Sequence, residues 1–340
     1  EAMLNSVSKQ SYPHWELIVA DAGGTAESVQ AWAKKNGICL RKAADASNLA
    51  EWKDQSIMLC TLSENKGISA NTNAGIELAA GDAVGLLDHD DLLTANALWE
   101  MADCLEKEKK RGKQKLVLFS DEDKCDGAAS RFYEPNFKPD FDGELLLTNN
   151  YICHFTVIET AFLKELKLRS GFDGAQDYDL MLRAYAAGGQ FVHVPKVLYH
   201  WRCHEASTAS NPQSKRYAYE AGQRALEDYC LRKGWKATVS GLKHLGFYRE
   251  DYEDSVFCQR PEIGIWAKPL PGGRDIFGIR HPKGFLVSGL YENDGLMRYA
   301  GLRKGYSGPM HRAALQQSAP AADLRSMEVC SALKERYAQT

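Results

Sequence analysis

Short apolar runs alternate with amphipathic segments along the first 200 residues. The apolar runs predict strands at 15–20, 57–62, 83–87 and 115–119. Between them, helices are predicted from Thr25 to Asn36 before Gly37, from Ser69 to Ala80 before Gly81, and from Thr94 toward Lys110. This alternation predicts an α/β sandwich in which the four strands share one largely parallel central sheet. Ligands of such sheets bind beyond the carboxyl ends of the strands.

The pattern changes beyond residue 119. Residues 120–150 are polar and predict irregular structure, whereas 151–158 predicts a strand and 176–187 a helix. Strands at 190–194 and 197–201 and a long helix at 213–233 are predicted next. The periodicity weakens beyond residue 241, although short runs such as 285–288 are typical of strands.

The composition is that of a globular protein. Hydrophobic residues make up 44% and charged residues 26% of the 340 residues, which excludes a disordered chain. The net charge of -3 gives no general attraction to nucleic acid. No run of 18 apolar residues and no signal peptide is visible, and the nine cysteines are scattered. We therefore expect a cytoplasmic protein with reduced thiols.

Three acidic side chains crowd the end of the strand predicted at 83–87, in the sequence LLDHDD (86–91). Like charges this close repel one another, so Asp88, Asp90 and Asp91 need a cation or other partners. Hard divalent cations take carboxylate oxygens and also bind diphosphate oxygens. The run therefore predicts a metal or nucleotide site. A solvated turn that caps the next helix is the alternative, particularly for Asp91.

A second acidic motif, QDYDL (176–180), begins the helix predicted at 176–187. Asp179 precedes Arg183 by four residues, which predicts a salt bridge with a structural role. Asp177 has no cation at that offset, so it is a candidate general base. The alternative is that Asp177 is simply favoured by the helix dipole.

The strand predicted at 197–201 lies in the sequence VLYHWR (197–202). Strand alternation places Leu198, His200 and Arg202 on one face. His200 is a candidate metal ligand and Arg202 a candidate phosphate contact. A structural histidine is the alternative, because single strand histidines are more often structural.

Two further clusters follow predicted strands. Asp21, before Ala22-Gly23-Gly24, is a candidate to hold a ribose or base, with a helix-capping turn as the alternative. The run SDEDK (120–124) is either part of the site or a solvated loop. His154 and His193 alternate with apolar residues, so we interpret both as structural.

The order of these motifs resembles that of bacterial family 2 glycosyltransferases with the GT-A fold, especially the cell-surface polysaccharide type that includes rhamnosyltransferases. The matching segments are SYPHWELIVADA (11–22), ENKGISANTNAGIELAAGD (64–82), GLLDHDDLL (85–93), LFSDEDK (118–124), FKPDF (137–141), NNYICHF (150–155), GAQDYDLMLR (174–183) and VPKVLYHWRCHEASTA (194–209). Together they cover about residues 1–245.

The resemblance implies a metal-dependent inverting transfer of a hexosyl or deoxyhexosyl group from a nucleotide diphosphate sugar to a glycan or lipid-linked acceptor. Asp177 would be the catalytic base, and Asp90 with His200 would bind Mn²⁺ or Mg²⁺. The donor-binding residues implied are Asp21, Asn65, Asp88, Asp121 and Arg202. A cytoplasmic location is implied, with peripheral association at the inner face of the cell membrane as an alternative.

The chain departs from the family pattern at both ends. The apolar first strand that lies inside the family's sheet is absent, and its loss is expected to expose main-chain groups along two neighbouring strands. We therefore expect a domain at 1–245 that lacks its first strand, and a degenerate or truncated second module at 246–340, where 262–329 faintly resembles part of a family 2 module. The sequence Asp21-Ala22-Gly23-Gly24 replaces the commoner paired acids.

Two other functions remain open from the sequence. A non-catalytic module that binds nucleotide sugars or glycans would retain most of these motifs. A nucleotidyltransferase also places paired acids on an α/β sheet, but it needs a glycine-rich phosphate loop with a basic residue, and none is visible in the sequence.

Overall fold

The computed structural model describes residues 1–42, 54–203, 216–242, 245–252, 266–270, 274–281, 284–293 and 296–300. The helices are α1 (Ala2–Ser8), α2 (Ala26–Asn36), α3 (Ile68–Leu78), α4 (Ala97–Lys110), α5 (Gly143–Thr148), α6 (Thr160–Leu166), α7 (Gln176–Ala186) and α8 (Arg216–Arg232). The strands are β1 (Glu16–Asp21), β2 (Cys39–Lys42), β3 (Ser56–Thr61), β4 (Ala83–Leu86), β5 (Leu92–Leu93), β6 (Leu116–Asp126), β7 (Phe132–Asn136), β8 (Thr156–Glu159), β9 (Gln190–Cys203), β10 (Ala237–Gly241), β11 (Tyr248–Tyr252), β12 (Trp266–Leu270), β13 (Arg274–His281), β14 (Gly284–Asn293) and β15 (Leu296–Ala300).

The fold comprises two compact units, Glu1–Phe141 with Ile152–Ala225, and Asp142–Tyr151 with Leu226–Thr340. In the first unit, β1, β3 and β2 form a parallel sheet in that order. A mixed sheet follows the order β4-β8-β6-β9-β5, with β7 paired to β6. The α/β class predicted from the sequence is therefore confirmed, whereas the predicted domain boundary at residue 245 stays a prediction.

The four strands that we expected in one sheet are divided between two. β1 pairs with β3, and β4 pairs with β8, in separate sheets. In the described part of the chain, no strand pairs with the other edge of β1 or β4. Those edges border a cleft of ≈ 1010 Å³, lined by residues 16–20 and 83–87 together with Met3, Val7 and Phe155. Among the described strands, the parallel sheet therefore ends at β1.

The centre of the mixed sheet is the parallel pair β6 and β9. Both strands are longer than predicted: β6 runs on through the polar residues 120–126, and β9 spans the two strands expected at 190–194 and 197–201. Ser120 pairs with Val194 but Asp121 pairs with Val197, so the register shifts at residues 195 and 196. This irregularity accommodates Pro195 inside one continuous strand.

Apolar side chains of the mixed sheet and of α4 pack together in a buried core. Leu118, Phe155, Leu198 and Tyr199 are at most 1% exposed and pack with Met101 of α4. The strand expected at 151–158 is shorter, since β8 begins at Thr156. Gly37 ends α2 as predicted, with φ of 66°, a left-handed conformation that suits glycine. In contrast, α4 begins at Ala97 after Asn96 rather than at Thr94, and α3 ends at Leu78 rather than at Ala80.

In the second unit, β10 and β11 pair antiparallel, and β12 to β15 form a four-stranded antiparallel sheet. The strand-like run at 285–288 lies within β14. Residues 301–329 of the expected second module lie outside the described residues, so that module stays a prediction. Among the described residues, no helix combines the length and apolar composition that a bilayer span requires. The seven cysteines there, of nine in the chain, are free thiols.

Candidate active site

An acidic turn directly follows β4. Ligand oxygens of Asp88, Asp90 and Asp91 all lie within 4.8 Å of one another. Asp88 is exposed, the Asp90 side chain is 30% exposed, and Asp91 is buried. Since three carboxylates at this spacing repel one another, the turn favours a bound cation. The donor set consists of hard oxygens, which fits Mn²⁺ or Mg²⁺.

Asp91 ties this turn to β9. Its Oδ2 accepts a 2.6 Å hydrogen bond from Tyr199 Oη, and its Oδ1 accepts a 2.8 Å bond from the Arg202 main-chain N–H. Burial raises the pKa of Asp91 to about 6; those two hydrogen bonds oppose the rise, and the charges of Asp88 and Asp90 add to it. Tyr199 Oη also accepts a 3.4 Å bond from the Asp88 N–H. Asp91 is therefore neither solvated nor a cap of the next helix; it joins the acidic turn to β9.

His200 lies on β9, between the two residues that hydrogen-bond to Asp91, Tyr199 and Arg202. Its Nδ1 lies 2.5 Å from Asp123 Oδ1, and the two side chains are only 15% and 13% exposed. On its other side, β9 pairs with β5 so that His200 faces Leu92, two residues beyond Asp90 in the chain. The structure thus brings the strand of His200 against the acidic turn, and metal binding by His200 stays a prediction.

The two acids at the start of α7 have different surroundings. Asp179 is 1% exposed and accepts hydrogen bonds from Arg183 Nε at 2.9 Å and Arg169 Nε at 3.1 Å. The predicted pair with Arg183 is confirmed, whereas Arg169 was not foreseen. Asp177 is half-buried. The Cys153 thiol has a strongly raised pKa, first because it is buried and then because of the negative charge of Asp177 and a hydrogen bond to it.

Two of the candidate donor-binding residues organise loops. Asp21 is 5% exposed and accepts bonds from the main-chain N–H groups of Gly23, Thr25 and Ala26 at 2.9 to 3.1 Å. Burial alone would raise its pKa, but the hydrogen bonds from Thr25, Gly23 and Ala26 together lower it. This geometry supports the capping alternative for Asp21. Asn65 Oδ1 likewise accepts hydrogen bonds from the Gly67 N–H before α3 and from the Asn71 side-chain amide within α3.

Asp121 is buried, at 3% exposed. Its Oδ1 lies 2.8 Å from His193 Nε2 and accepts a 2.8 Å bond from the Lys138 main-chain N–H. His193 also stacks on Phe119, with ring centroids 5.0 Å apart. These contacts agree with a structural His193. The part that Asp121 and Arg202 take in donor binding stays a prediction.

A buried charge network lies next to Asp121, and the sequence did not reveal it. Lys138 Nζ donates to the carbonyls of Ile152 and His154 at 3.0 and 2.5 Å and lies 3.6 Å from Glu122 Oε2. Glu122 Oε2 also accepts a 2.7 Å bond from the His154 N–H. Burial lowers the pKa of Lys138, and the charge of Glu122 opposes that shift. The network holds the segment that carries Cys153, which contacts Asp177. The only sequence clue was the position of Lys138 in the FKPDF segment.

Comparison with known proteins agrees with these observations. Residues 1–166 match the family model "Glycosyl transferase family 2". The chain is 34% identical over 238 residues to the "O-antigen biosynthesis protein RfbC" of Myxococcus xanthus, covering 70% of this chain and 17% of that protein. It is 28% identical over 212 residues to the "Amylovoran biosynthesis glycosyltransferase AmsB" of Erwinia amylovora, covering 58% of this chain and 64% of that protein.

A third relative, "Uncharacterized protein y4gI" of Sinorhizobium fredii, is 36% identical over 238 residues, covering 69% of this chain. The chain spans 24% of that relative and 17% of the Myxococcus protein, so it corresponds to about a quarter or less of each. Among solved structures, Staphylococcus aureus TarS 1–349 has a TM-score of 0.47 at 19% identity, covering 68% of this chain and 60% of that one. The family match, together with the α/β architecture, confirms the GT-A-type fold.

Proposed function

Because this chain belongs to glycosyl transferase family 2 through residues 1–166, we propose that it is a metal-dependent, inverting glycosyltransferase. It transfers a hexosyl or deoxyhexosyl group from a nucleotide diphosphate sugar to a glycan or lipid-linked acceptor in surface polysaccharide synthesis. The names of the Myxococcus and Erwinia relatives support the polysaccharide context. The observation that carries the proposal is the acidic turn, whose three carboxylates converge within 4.8 Å beyond the end of β4.

In this proposal, Asp90 and His200 hold the divalent cation. Asp90 is the less exposed of the two outer acids, and the strand pairing of His200 with Leu92 places its backbone next to the turn. When bound, Mn²⁺ or Mg²⁺ neutralises the charge that develops on the leaving diphosphate. Asp91 keeps the turn in place through Tyr199, and it is not assigned as a ligand.

Asp177 acts as the general base. It takes the proton of an acceptor hydroxyl while that oxygen attacks the anomeric carbon from the face opposite the diphosphate. The new bond joins acceptor oxygen to anomeric carbon, the bond from that carbon to the diphosphate oxygen breaks, and the electron pair leaves with the nucleoside diphosphate. Attack from the opposite face inverts the anomeric configuration. Its neighbour Asp179 is held by two arginines, so we assign Asp179 to the stability of α7.

Donor binding is assigned to Asp21, Asn65, Asp88, Asp121 and Arg202. Asp88 is exposed beside the proposed cation position, and the Arg202 main chain is fixed by Asp91. Asp21, Asn65 and Asp121 accept hydrogen bonds from Thr25, Asn71 and Lys138, respectively, so we expect them to shape the donor pocket through the segments they hold. We place the reaction on the cytoplasmic side of the membrane.

A panel of nucleotide diphosphate sugars, each with Mn²⁺ and candidate lipid-linked and glycan acceptors, tests the proposal. Product anomeric configuration is read by NMR, and donor binding is measured in parallel by calorimetry. We expect transfer from one donor, loss of transfer on chelation, and a product of inverted configuration. A retained configuration would refute the inverting mechanism.

The second candidate is a non-catalytic module that binds nucleotide sugars or glycans. The observation in its favour is the open cleft between β1 and β4, which leaves the parallel sheet ending at β1. The same panel separates the two functions. Tight Mn²⁺-dependent donor binding, with neither transfer nor donor hydrolysis across all acceptors, would favour the binding module.

A further inference from the structure

Asp123 and His200 face each other across the central strand pair of the mixed sheet. They occupy paired positions in β6 and β9. Asp123 Oδ1 lies 2.5 Å from His200 Nδ1, and both side chains are largely shielded from water, at 13% and 15% exposed. A carboxylate–imidazole contact between two side chains that are fixed on adjacent strands orients the imidazole.

A second contact restricts the same ring. The phenyl ring of Phe132, on β7, lies 4.4 Å from the His200 ring centroid at an interplanar angle of 55°. β7 is itself held against β6, where Lys124 pairs with Tyr133. On the opposite edge, β9 pairs with β5, which follows the acidic turn. The His200 ring is therefore held by Asp123 and Phe132, on a strand that is anchored next to Asp90.

The chemistry of the pair determines which nitrogen carries the proton. An ionised carboxylate only accepts hydrogen bonds, whereas a neutral imidazole has one donor nitrogen and one acceptor nitrogen. Asp123 at Nδ1 therefore selects the tautomer with hydrogen on Nδ1 and leaves the lone pair on Nε2. Carboxylates that fix a metal-binding histidine in this way tune metal affinity by about 10- to 100-fold.

We infer that Asp123 is a positioning residue that orients His200 and selects its Nδ1–H tautomer, so that Nε2 is the atom that binds the cation. The inference rests on the proposed function, in which His200 is a metal ligand. It goes further by naming the ligating nitrogen and assigning a role to an acid in the run 120–124 that was otherwise compatible with a solvated loop.

The first measurement is a long-range ¹H–¹⁵N NMR spectrum of the metal-free chain at about pH 8, above the ordinary range of histidine titration. His200 is assigned by comparison with His200→Ala. We expect an Nδ1–H tautomer in the unchanged chain. An Nε2–H tautomer there would overturn the inference without any variant having to fold.

The second measurement is Mn²⁺ binding, followed by the electron paramagnetic resonance of the free ion. Asp123→Asn should weaken binding by about 10- to 100-fold, because an amide no longer selects the tautomer. His200→Ala should weaken binding at least as much, and the double variant no more than His200→Ala alone. Glu134→Gln is the matched control, since Glu134 is an acid on the neighbouring β7 whose partner is Lys124. It should bind Mn²⁺ as the unchanged chain does, and all variants should keep their melting temperature.

The two measurements separate the inference from the proposed function. If Asp123→Asn loses the Nδ1–H tautomer but Mn²⁺ affinity is unchanged, the metal role of His200 is overturned, and with it the inference. If His200→Ala weakens Mn²⁺ binding whereas Asp123→Asn does not, the proposed function stands and the positioning role of Asp123 is refuted.

Discussion

The acidic turn after β4 and the acidic start of α7 hold their carboxylates in different ways. In the turn, three carboxylates lie within 4.8 Å of one another, and the buried one, Asp91, is bonded to a tyrosine hydroxyl and a main-chain N–H. In the helix, Asp179 is buried between the guanidinium groups of Arg169 and Arg183. One region concentrates negative charge, and the other neutralises it.

This difference indicates that the acidic turn serves ligand binding, whereas Asp179 serves the stability of the fold. A buried acid that is held by two arginines needs no further cation, so Asp179 serves the fold. A cluster of three converging carboxylates gains from a divalent cation. Asp177 lies two residues before Asp179 in the chain and contacts the Cys153 thiol. We therefore expect variants in the turn to lose cation binding and sugar transfer, and variants at Asp179 to lose stability.

The largest effect on cation binding is expected in the turn. Asp90→Asn should lower the rate of sugar transfer by about 100- to 1,000-fold, because the cation that stabilises the leaving diphosphate is held less tightly. Mn²⁺ affinity should fall with the rate, while the free energy of unfolding of the metal-free chain stays nearly unchanged. Asp82→Asn is the control, since Asp82 is an exposed acid just before β4. Normal Mn²⁺ affinity in Asp90→Asn would remove Asp90 from the metal site.

The next effect belongs to the helix. Asp179→Asn should lower the free energy of unfolding by about 3 kcal/mol, because it leaves two guanidinium groups without their buried partner. Urea denaturation measures this loss. Asp103→Asn breaks an exposed pair with Lys107 and should cost less than about 1 kcal/mol. A loss for Asp179→Asn no larger than that of Asp103→Asn would contradict the structural role.

A smaller effect is expected where the turn meets β9. Tyr199→Phe removes a buried hydroxyl that donates to Asp91, and it should lower the free energy of unfolding by about 1–3 kcal/mol. Denaturation of the metal-free chain measures it. Tyr12→Phe, in which the tyrosine lies near His14 and Trp99 at the surface, is the comparison variant. Equal stability of the two variants would show that the hydrogen bond between Tyr199 and Asp91 does not hold the turn.

The smallest effect concerns the thiol beside Asp177. Burial and the Asp177 charge raise the pKa of Cys153, so little thiolate exists near neutral pH and alkylation is slow. Asp177→Asn removes the charge, lowers that pKa and should speed alkylation by about two- to tenfold at a given pH. Mass spectrometry with iodoacetamide between about pH 7 and 10 measures it. Cys125, fully buried with a pKa raised to about 11 chiefly by burial, is the internal reference. An unchanged Cys153 rate would show that the two groups do not interact.

Much of the fold was predictable from the sequence because its strands are apolar and its turns carry glycine. β1, β3 and β4 lie within a residue or two of their predicted ends. The second half of β6 was not predictable, since residues 120–126 are mostly polar. Residues 120–122 and Cys125 are nevertheless buried, and the strand pairs with β9 and β7. Pro195 suggested a break in β9, but a register shift absorbs it.

The site was predictable only as far as local patterns reach. The acidic turn and the Asp179–Arg183 pair follow from spacing along the chain. The contact between Asp123 and His200 joins residues that are 77 positions apart, and the contact between Asp91 and Tyr199 joins residues that are 108 apart. Periodicity carries no information about such partners, so they emerge only when β6, β9 and the turn are assembled.

We propose a division of roles in which Asp177 performs the chemistry while the acidic turn holds the donor. It is tested most directly by measuring turnover and Mn²⁺-dependent donor binding side by side in Asp177→Asn. We predict that turnover falls by about 10²- to 10⁴-fold, as expected for loss of a general base, while the dissociation constant of the donor changes by less than about threefold because a base acts on the acceptor. Turnover close to that of the unchanged chain would contradict the account.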